Sequence, residues 1–369
     1  MKVALVHDYL NQYGGAERVL EVLMAMFPSA PVYTLLYDKN KTLSRFEHRV
    51  RGTSVLDSWL VRKRHRWFLP LMPMAIWGMN LGREYDLIIS DTAGYGKGIT
   101  YNSKTTKHIA YCHTPLRYAW ETADYVKAKF GNFVGPLAAA AVSPVAWYLR
   151  KWDYWAGQRP ELLLANSKFI ADKIAKHYER AAAVVYPPVD LDQFYAEPGL
   201  GTRNYYLAIG RLLHYKRFDL IIAAFRELRR PLLIVGDGPE EKKLKALARD
   251  AKNIYFAPFV ASEAELRRLY QNARAVVFSH AEDFGLVLAE AQACGTPIVA
   301  YAIGGANEIV AGETAGVLYY QQEKTALVKA ILTFEAMNFD GQKISQLAER
   351  FSRGNFEAGL RAAIRALGF

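Results

Sequence analysis

The fold class of this chain follows from one stretch of its sequence, which reads AVVFSHAEDFGLVLAEAQACGTPIVA over residues 275–300. An apolar strand from Ala275 to Phe278 leads to a short loop, and a helix then runs to about Cys294 before Gly295 ends it. A second apolar strand begins at Ile298. The stretch therefore predicts a strand, a loop, a helix and a strand in succession, which is the repeating unit of parallel α/β sheets.

The start of the helix in this stretch is a candidate ligand site. Backbone N–H groups around Gly285 and Leu286 have no partners within the helix, and a glycine lets an anion approach the backbone closely, so a phosphate fits there. Asp283 and Phe284 lie in the loop that carries this site. Two alternatives remain for the flanking carboxylates Glu282 and Glu290: they accept hydrogen bonds from sugar hydroxyls, or they are a helix cap and a solvated helix face.

The rest of the second half alternates between short apolar strands and amphipathic helices, which predicts a doubly wound parallel sheet. Gly210 and Arg211 follow its first strand, Tyr205 to Ile209, and Lys216 comes a few residues later. The two cations can neutralise a diphosphate, or they can be solvated loop charges.

The first half begins with a strand at Val3 to Val6, a loop containing Gly14 and Gly15, and a helix from Ala16. The glycine pair permits close backbone approach, but its spacing is not G-x-G-x-x-G, so a dinucleotide cofactor is disfavoured. His113 follows the strand Ile109 to Cys112 and is placed to face a cleft, although a lone histidine is more often structural.

The net charge of +11 is concentrated in the first half of the chain. Residues 1–190 hold 25 Lys and Arg against 16 Asp and Glu, whereas residues 191–369 hold 22 against 20. The first half is therefore expected to meet an anionic membrane, a phosphate-bearing acceptor or nucleic acid. The two cysteines give no metal or redox spacing, and the chain opens directly into a strand, so a cytoplasmic protein without a signal peptide is expected.

The segment from Arg45 to Leu81 combines basic residues with aromatic ones. Seven Lys and Arg between Arg45 and Arg66 precede an apolar run from Trp67 to Trp77 that is too short to span a bilayer. This combination is typical of a segment at a membrane interface, so contact with an anionic lipid surface is expected. The alternative is a core helix with a solvated basic end.

The domain organisation is predicted from composition and periodicity. Residues 1–190 form a first domain and residues 205–345 a second, with a Pro- and Gly-rich linker over residues 191–204. Residues 346–369 contain an amphipathic helix that is expected to cross back to the first domain. The uncharged residues 130–149 are interpreted as a loop and helix of the first domain and not as a membrane span.

The residues quoted above carry a resemblance to a known family. Seven residues separate Glu282 from Glu290, and the stretch resembles the E-x7-E signature of retaining glycosyltransferases of family 4. The resemblance implies the GT-B architecture, in which two Rossmann-like domains face a central cleft. It also implies that Glu282 lies near the donor sugar and Glu290 at the ribose.

Further motifs extend the resemblance over nearly the whole chain. Gly210, Arg211, Lys216 and Asp219 resemble the family's G-R-L…K-x-x-D pattern, whose arginine and lysine bind the diphosphate. Arg217 stands where many members of the family have glycine, which leaves the shape of this loop open.

In the first half, Gly14 and Gly15 resemble the turn that comes near the sugar phosphate. His113 matches a histidine beside the transferred sugar. Bacterial polysaccharide mannosyltransferases are the most similar members.

The resemblance implies an enzyme that transfers a hexose of mannose or glucose type from a GDP- or UDP-sugar, with retention and without a metal or other cofactor. The implied acceptor is a saccharide or a polyprenyl-diphosphate-linked sugar at the inner face of the cell membrane, and no nucleic acid is involved. Two alternatives stay open. One is a sugar-nucleotide epimerase on the same architecture, and the other is a non-enzymatic protein that binds membranes or nucleic acid.

Overall fold

The computed structural model describes residues 1–42, 44–121, 140, 142–197, 203–310 and 312–369. These residues form two compact units. The first comprises Met1–Tyr186 together with Glu357–Phe369, and the second comprises Pro187–Phe356. Residues 198–202 of the predicted linker, and residues 130–139 and 141 of the predicted loop and helix, lie outside the described residues.

The first unit is built on a seven-stranded parallel sheet with the strand order β3-β2-β1-β4-β5-β6-β7. Its strands are β1 Val3–Leu10, β2 Val32–Tyr37, β3 Val50–Thr53, β4 Leu87–Thr92, β5 Lys107–Cys112, β6 Leu162–Ala165 and β7 Ala183–Val184. The inner strands β1, β4 and β5 are almost entirely buried, as is typical of parallel sheets with helices on both faces.

The helices of the first unit connect these strands. They are α1 Gly15–Met26, α2 Trp59–Arg64, α3 Met72–Gly78, α4 Arg117–Trp120, α5 over residues 142–158 and α6 Lys168–Tyr178. A 3-10 helix over His65–Leu71 joins α2 to α3. Helix α6 begins after Ser167, whose hydroxyl accepts a hydrogen bond from the Ile170 N–H at 3.1 Å.

The second unit is built on a six-stranded parallel sheet with the order β10-β9-β8-β11-β12-β13. The strands are β8 Tyr205–Ile209, β9 Leu232–Val235, β10 Ile254–Ala257, β11 Ala273–Phe278, β12 Ile298–Tyr301 and β13 Gly316–Tyr319. The helices are α7 Phe218–Leu228, α8 Glu241–Leu247, α9 Glu263–Asn272, α10 Leu286–Ala293, α11 Ala306–Ile309, α12 Lys324–Glu335 and α13 Gly341–Leu347. The doubly wound parallel sheet expected here is confirmed.

The last helix, α14 Arg353–Ala366, begins in the second unit and ends in the first. Its apolar side chains Phe356, Leu360 and Ile364 are all buried. The chain therefore returns to its first unit only after the second is complete.

Strand β1 is longer than the sequence predicts, because it continues beyond Val6 to Leu10. Tyr9 and Leu10 pair with Leu36 and Tyr37 of β2, so the ladder continues to residue 10. The polar residues His7 and Asp8 interrupt the apolar pattern, and both are buried. A buried strand tolerates them because each has hydrogen-bond partners, which are described below.

Both sheets reverse their strand order at one point. The first sheet does so between β1 and β4 and the second between β8 and β11, because the chain builds outward in both directions from these pairs. Open parallel sheets bind ligands at the carboxyl ends of the strands flanking such a reversal. Among the described residues, no helix is long and apolar enough to cross a membrane.

Candidate functional site

Glu282 lies just beyond the carboxyl end of β11, at the strand-order reversal of the second unit. Its Oε1 accepts a hydrogen bond from Lys216 Nζ at 2.7 Å and lies 2.7 Å from His280 Nε2. Burial raises the pKa of Glu282, but Lys216 and His280 outweigh burial and hold the pKa well below its usual value. Because both contacts use Oε1, Oε2 is the oxygen that can accept a hydrogen bond from a ligand.

The loop that carries Glu282 is held by a second loop after β12. The N–H of Gly305 donates to the carbonyl of Glu282 at 2.9 Å, and Gly304 forms a parallel bridge with Glu282. A Cβ at Gly304 would lie 2.0 Å from the Glu282 carbonyl oxygen, so only glycine permits this approach. The backbone thus fixes Glu282 before any ligand binds.

Helix α10 starts at this loop, as predicted. Its N-cap is Gly285, which has a φ of 97° in the left-handed region that favours glycine. Phe284 anchors the loop by packing its ring against Phe351, at 5.2 Å between ring centroids. Leu286 is half-buried and Asp283 is buried.

Glu290 lies within α10 and is 4 % exposed, so the interpretation as a solvated helix face is wrong. Its Oε2 accepts a hydrogen bond from the Tyr270 hydroxyl of α9 at 2.9 Å. The alternative interpretation of Glu282 as a helix cap is also not what is seen, because no side chain caps α10.

The loop after β8 brings a cation to Glu282. Lys216 ends a 3-10 helix over His214–Lys216 and is buried, whereas Arg211 is exposed. Gly210 lies beneath the lysine, since a Cβ there would be 3.4 Å from Lys216 Nζ. Lys216 is therefore not a solvated loop charge.

Arg217 stands where many members of the family have glycine, and its backbone conformation shows how the loop accommodates it. Its backbone is left-handed, with φ 54° and ψ 37°, which is the conformation that glycine adopts most easily. The guanidinium pairs with Asp219 at 3.1 Å and donates to the Gln322 side chain at 3.1 Å. The loop keeps its shape without glycine because these contacts offset the strain.

A second cluster lies at the strand-order reversal of the first unit. Asp91 of β4 contacts two histidines, with its Oδ2 2.8 Å from His7 Nδ1 and its Oδ1 2.5 Å from His113 Nε2. Glu17 of α1 lies 3.7 Å from the other ring nitrogen of His7. We call Glu17, His7, Asp91 and His113 the histidine row.

The buried charges of His7 and Asp91 stabilise each other. Burial lowers the pKa of His7, but the carboxylates of Asp91 and Glu17 outweigh this effect and raise the pKa to about 10. Burial raises the pKa of Asp91, but His113 and His7 outweigh it and hold that pKa below its usual value. The side chain of His113 is 13 % exposed, so the row leads from the interior to the surface.

Gly14 and Gly15, the other residues predicted for the first unit, lie near Glu17 in the sequence. Gly14 is the N-cap of α1 and Gly15 is its first residue. Asp8 is buried and accepts hydrogen bonds from the Thr92 hydroxyl and from the N–H groups of Ala93 and Gly96, at 2.8, 2.7 and 2.5 Å. Asp8 thereby fixes the loop that follows β4.

The predicted interfacial segment has two distinct parts. Met72, Ala75 and Ile76 of α3 are buried, so this part is a core helix. Arg62 pairs with Asp57 at 2.6 Å, and Arg49 donates to backbone carbonyls, so neither is a simple surface charge.

Six of the exposed residues in this segment are three cations and three tryptophans, which we call the basic-aromatic surface. Trp59, Trp67 and Trp77 are 73 %, 77 % and 59 % exposed. Lys63 lies over the Trp59 ring and Arg64 over the Trp67 ring, each at 5.3 Å. The surface comprises Trp59, Lys63, Arg64, Arg66, Trp67 and Trp77.

Sequence reasoning missed His280, Gly304 and the buried members of the histidine row. His280 lies two residues before Glu282, and Gly304 and Gly305 form a glycine pair after a predicted strand, which was a usable signal. His7 and Asp91 are 84 residues apart, so no local pattern predicts their contact.

Family comparison agrees with this architecture of two Rossmann-like sheets. Residues 13–193 match the model described as Glycosyltransferase Family 4, and residues 192–354 match the model described as Glycosyl transferases group 1. The chain belongs to the GT-B glycosyltransferase family that these two models describe in succession.

Curated relatives match over part of their length. The D-inositol 3-phosphate glycosyltransferase of Segniliparus rotundus is 34 % identical over 55 % of this chain and 52 % of its own. A GDP-mannose-dependent alpha-(1-6)-phosphatidylinositol monomannoside mannosyltransferase of Mycolicibacterium smegmatis is 30 % identical over 47 % of this chain and 53 % of its own. The chain spans about half the length of these relatives.

Solved structures share the fold over the whole chain. HepE of Anabaena, in complex with UDP, has a TM-score of 0.69 at 20 % identity and covers 99 % of this chain and 100 % of its own. Sucrose-phosphate synthase of Thermosynechococcus elongatus has a TM-score of 0.70 at 17 % identity and covers 100 % and 99 %. The predicted GT-B fold class is confirmed.

Proposed function

We propose that the protein transfers a hexose from a nucleoside-diphosphate sugar to a saccharide or lipid-linked acceptor. The observation that carries this proposal is the pairing of Glu282 with Lys216 and His280 beside the start of α10. A carboxylate beside a cation and a helix N-terminus suits a ligand that carries both sugar hydroxyls and phosphates, which supports the proposal. The names of the relatives support a transferase over an epimerase or a non-enzymatic binding protein.

The donor is a GDP- or UDP-hexose held mainly by the second unit. Lys216, Arg211 and the first turn of α10 stabilise the charge that grows on the departing diphosphate. Oε2 of Glu282 accepts from a hydroxyl of the sugar, and Glu290 accepts from the ribose. One matched relative depends on GDP-mannose, and one structural neighbour was crystallised with UDP. Guanine and uracil are therefore supported equally as the base of the donor.

Transfer proceeds with retention and does not use a metal. Glu282 is engaged by two basic side chains, which suits it to hold the sugar and not to attack it. The bond between the anomeric carbon and the diphosphate breaks while the acceptor hydroxyl approaches from the same face. The acceptor oxygen bonds to that carbon, and its proton passes to the departing diphosphate, which Lys216 and Arg211 stabilise. His113 contacts the transferred sugar.

The experiment for the donor is a thermal-shift screen with UDP, GDP and ADP, followed by transfer assays with the corresponding sugars. We expect one diphosphate to stabilise the protein and its hexose to be transferred. Lys216→Ala should lower kcat more than it raises the donor KM, because charge on the diphosphate grows as the bond breaks. Isomerisation of the sugar nucleotide without an acceptor would instead support the epimerase.

The acceptor is presented at an anionic membrane surface, which the basic-aromatic surface contacts. Its cations attract lipid phosphates while its tryptophans lie at headgroup depth. The relative that acts on a phosphatidylinositol monomannoside supports a lipid-linked acceptor. Arg62 does not contribute, because it pairs with Asp57.

The test is vesicle binding by a variant in which Lys63, Arg64 and Arg66 become Ser. Each removed charge weakens binding to anionic lipid by about 1 kcal/mol, so a loss of roughly 100-fold is expected from the three. The control replaces Lys242, Lys243 and Lys245, which are also exposed, and changes the net charge equally. Equal loss in both variants, or no binding of the unmodified protein at low salt, would refute a specific surface.

A further inference from the structure

The histidine row ends at the surface of the first unit in one imidazole nitrogen, Nδ1 of His113. His7 and Asp91 are directly opposed partners in the β1–β4 register, and the His113 N–H extends the β4–β5 ladder by donating to the Thr92 carbonyl at 2.8 Å. Three neighbouring strands therefore place His7, Asp91 and His113 side by side. Their backbones are fixed by the sheet, so their separation does not depend on a mobile loop.

Asp91 makes one contact with each histidine and uses a different oxygen for each. An aspartate that accepts from one ring nitrogen of a histidine sets which nitrogen carries the proton and how the ring is oriented. Here Asp91 meets Nε2 of His113, so Nδ1 is the nitrogen that can meet a ligand. The Tyr111 ring packs edge-on against the imidazole at 5.2 Å between centroids, which further limits its rotation.

His7 is buried and has a carboxylate beside each ring nitrogen. It therefore serves as the counter-ion of Asp91 in the interior. Without a positive neighbour, a fully buried carboxylate would lose its charge and with it the ability to accept from both histidines.

We propose that Asp91, kept ionised by His7, is a positioning residue that fixes the orientation and tautomer of His113 so that Nδ1 faces a hydroxyl of the sugar. This assignment rests on the proposed function in one respect only, namely that His113 contacts the transferred sugar. The orientation and tautomer themselves are properties of the protein without substrate.

The first experiment needs no activity. Nitrogen NMR of the imidazole rings in the ligand-free protein should show the His113 proton on Nε2, with the signal assigned by its absence in His113→Gln. Asp91→Asn offers an amide in place of one oxygen, so the His113 signal should shift toward the other tautomer or a mixture. An unchanged His113 signal in Asp91→Asn would overturn the proposal.

The second experiment is a double-mutant cycle on the transfer reaction. Asp91→Asn and His113→Gln should each lower kcat about 10- to 100-fold, and the double variant should be no worse than His113→Gln alone. Losses that multiply would show that Asp91 does not act through His113, and so would overturn the proposal.

The control for structural damage is Asp153→Asn. Asp153 is equally buried in the same unit and pairs with Lys97 at 2.6 Å, but it makes no contact with the histidine row. Asp153→Asn should lower the free energy of unfolding while leaving the NMR signal of the His113 imidazole unchanged. If the wild type transfers no sugar at all, the proposed function fails, and the NMR result still decides the assignment of Asp91.

Discussion

At the scale of single residues, a buried side chain of this protein stays ionised where an oppositely charged group contacts it. His7 and His108 show the two outcomes within one unit. His7 lies between two carboxylates, whereas His108 has Ser90 as the partner of its Nε2 at 2.8 Å. Burial, with Arg159 and Arg180, lowers the pKa of His108 to about 3, while the pKa of His7 rises to about 10.

These shifts predict opposite effects of pH on the free energy of unfolding. The raised pKa of His7 adds stability that is complete below its ordinary value of 6.5 and is lost as pH rises through about 10. His7→Asn should therefore flatten the alkaline fall in stability of the first unit, measured by urea unfolding from pH 6.5 to 10.

The matched variant for this measurement is His108→Asn. Because the pKa of His108 is lowered, its unfolded form binds more protons between pH 3 and 6.5, and stability is lost on that acid side. This variant should leave the alkaline limb unchanged. An alkaline limb that is identical in wild type and His7→Asn would show that the imidazole of His7 is not charged in the folded protein.

Arg217 allows the cost of a left-handed backbone to be separated from the value of a side chain. Arg217→Ala loses the contacts to Asp219 and Gln322 and keeps the strained conformation, so it should be destabilising. Arg217→Gly loses the same contacts but relieves the strain, so it should be more stable than the alanine variant by about 1 kcal/mol. Chemical denaturation of both variants gives the difference directly, and equal stabilities would contradict the left-handed geometry.

At the scale of elements, the loops after the strands of the second unit hold one another by their backbones. Glycines make this possible, because Gly304 approaches the Glu282 carbonyl and Gly236 approaches the Gly210 carbonyl. A Cβ at Gly236 would lie 2.1 Å from that oxygen. Backbone contacts between these loops therefore set the shape of the candidate donor site and hold its side chains in place.

Gly304→Ala tests this arrangement. The new methyl group must displace the Glu282 loop, so we expect nucleoside-diphosphate affinity to fall at least 10-fold and stability to fall by about 1–3 kcal/mol. The control is Gly312→Ala. Gly312 has a φ of 78°, close to the 79° of Gly304, but nothing lies within 4 Å of its Cβ position. Equal losses of affinity in the two variants would mean that the loop contact is unimportant.

At the scale of the whole molecule, the first unit is built from two separate parts of the sequence. Glu357–Phe369 belong to the first unit although they follow the second in sequence. Gly359 packs against Val185, with its Cβ position 3.1 Å from a valine methyl, and Leu360 is fully buried. The first unit is therefore complete only when the last residues of the chain are present.

Leu360→Ala should weaken the first unit and spare the second. Removing a buried leucine side chain costs about 2–5 kcal/mol. Hydrogen exchange should accelerate in β6 and β7 but not in β8 to β13. Ile331→Ala, in the core of the second unit, should give the reverse pattern. Faster exchange confined to the second unit in Leu360→Ala would contradict this division of the chain.

Local sequence determined the motif positions and most of the strands and helices of this protein, but not the short strands β3, β7 and β13. Strand β11, the start of α10 and the spacing of Glu282 and Glu290 were predicted because apolar periodicity and glycine punctuation act within a few residues. The family followed from the same motifs. The family resemblance made Lys216 and His113 candidate site residues, but it did not predict their partners.

Only the tertiary structure decided which of these residues meet. Lys216 and Glu282 are 66 residues apart and His7 and Asp91 are 84 apart. Parallel neighbours are joined by long crossovers, so the residues that face each other at the carboxyl edge leave no local pattern. The burial of Glu290, the pairing of Arg62 with Asp57 and the hydrogen bonds of Arg49 to backbone carbonyls were decided in the same way. Each depends on what packs against the residue, and that is a property of the folded chain.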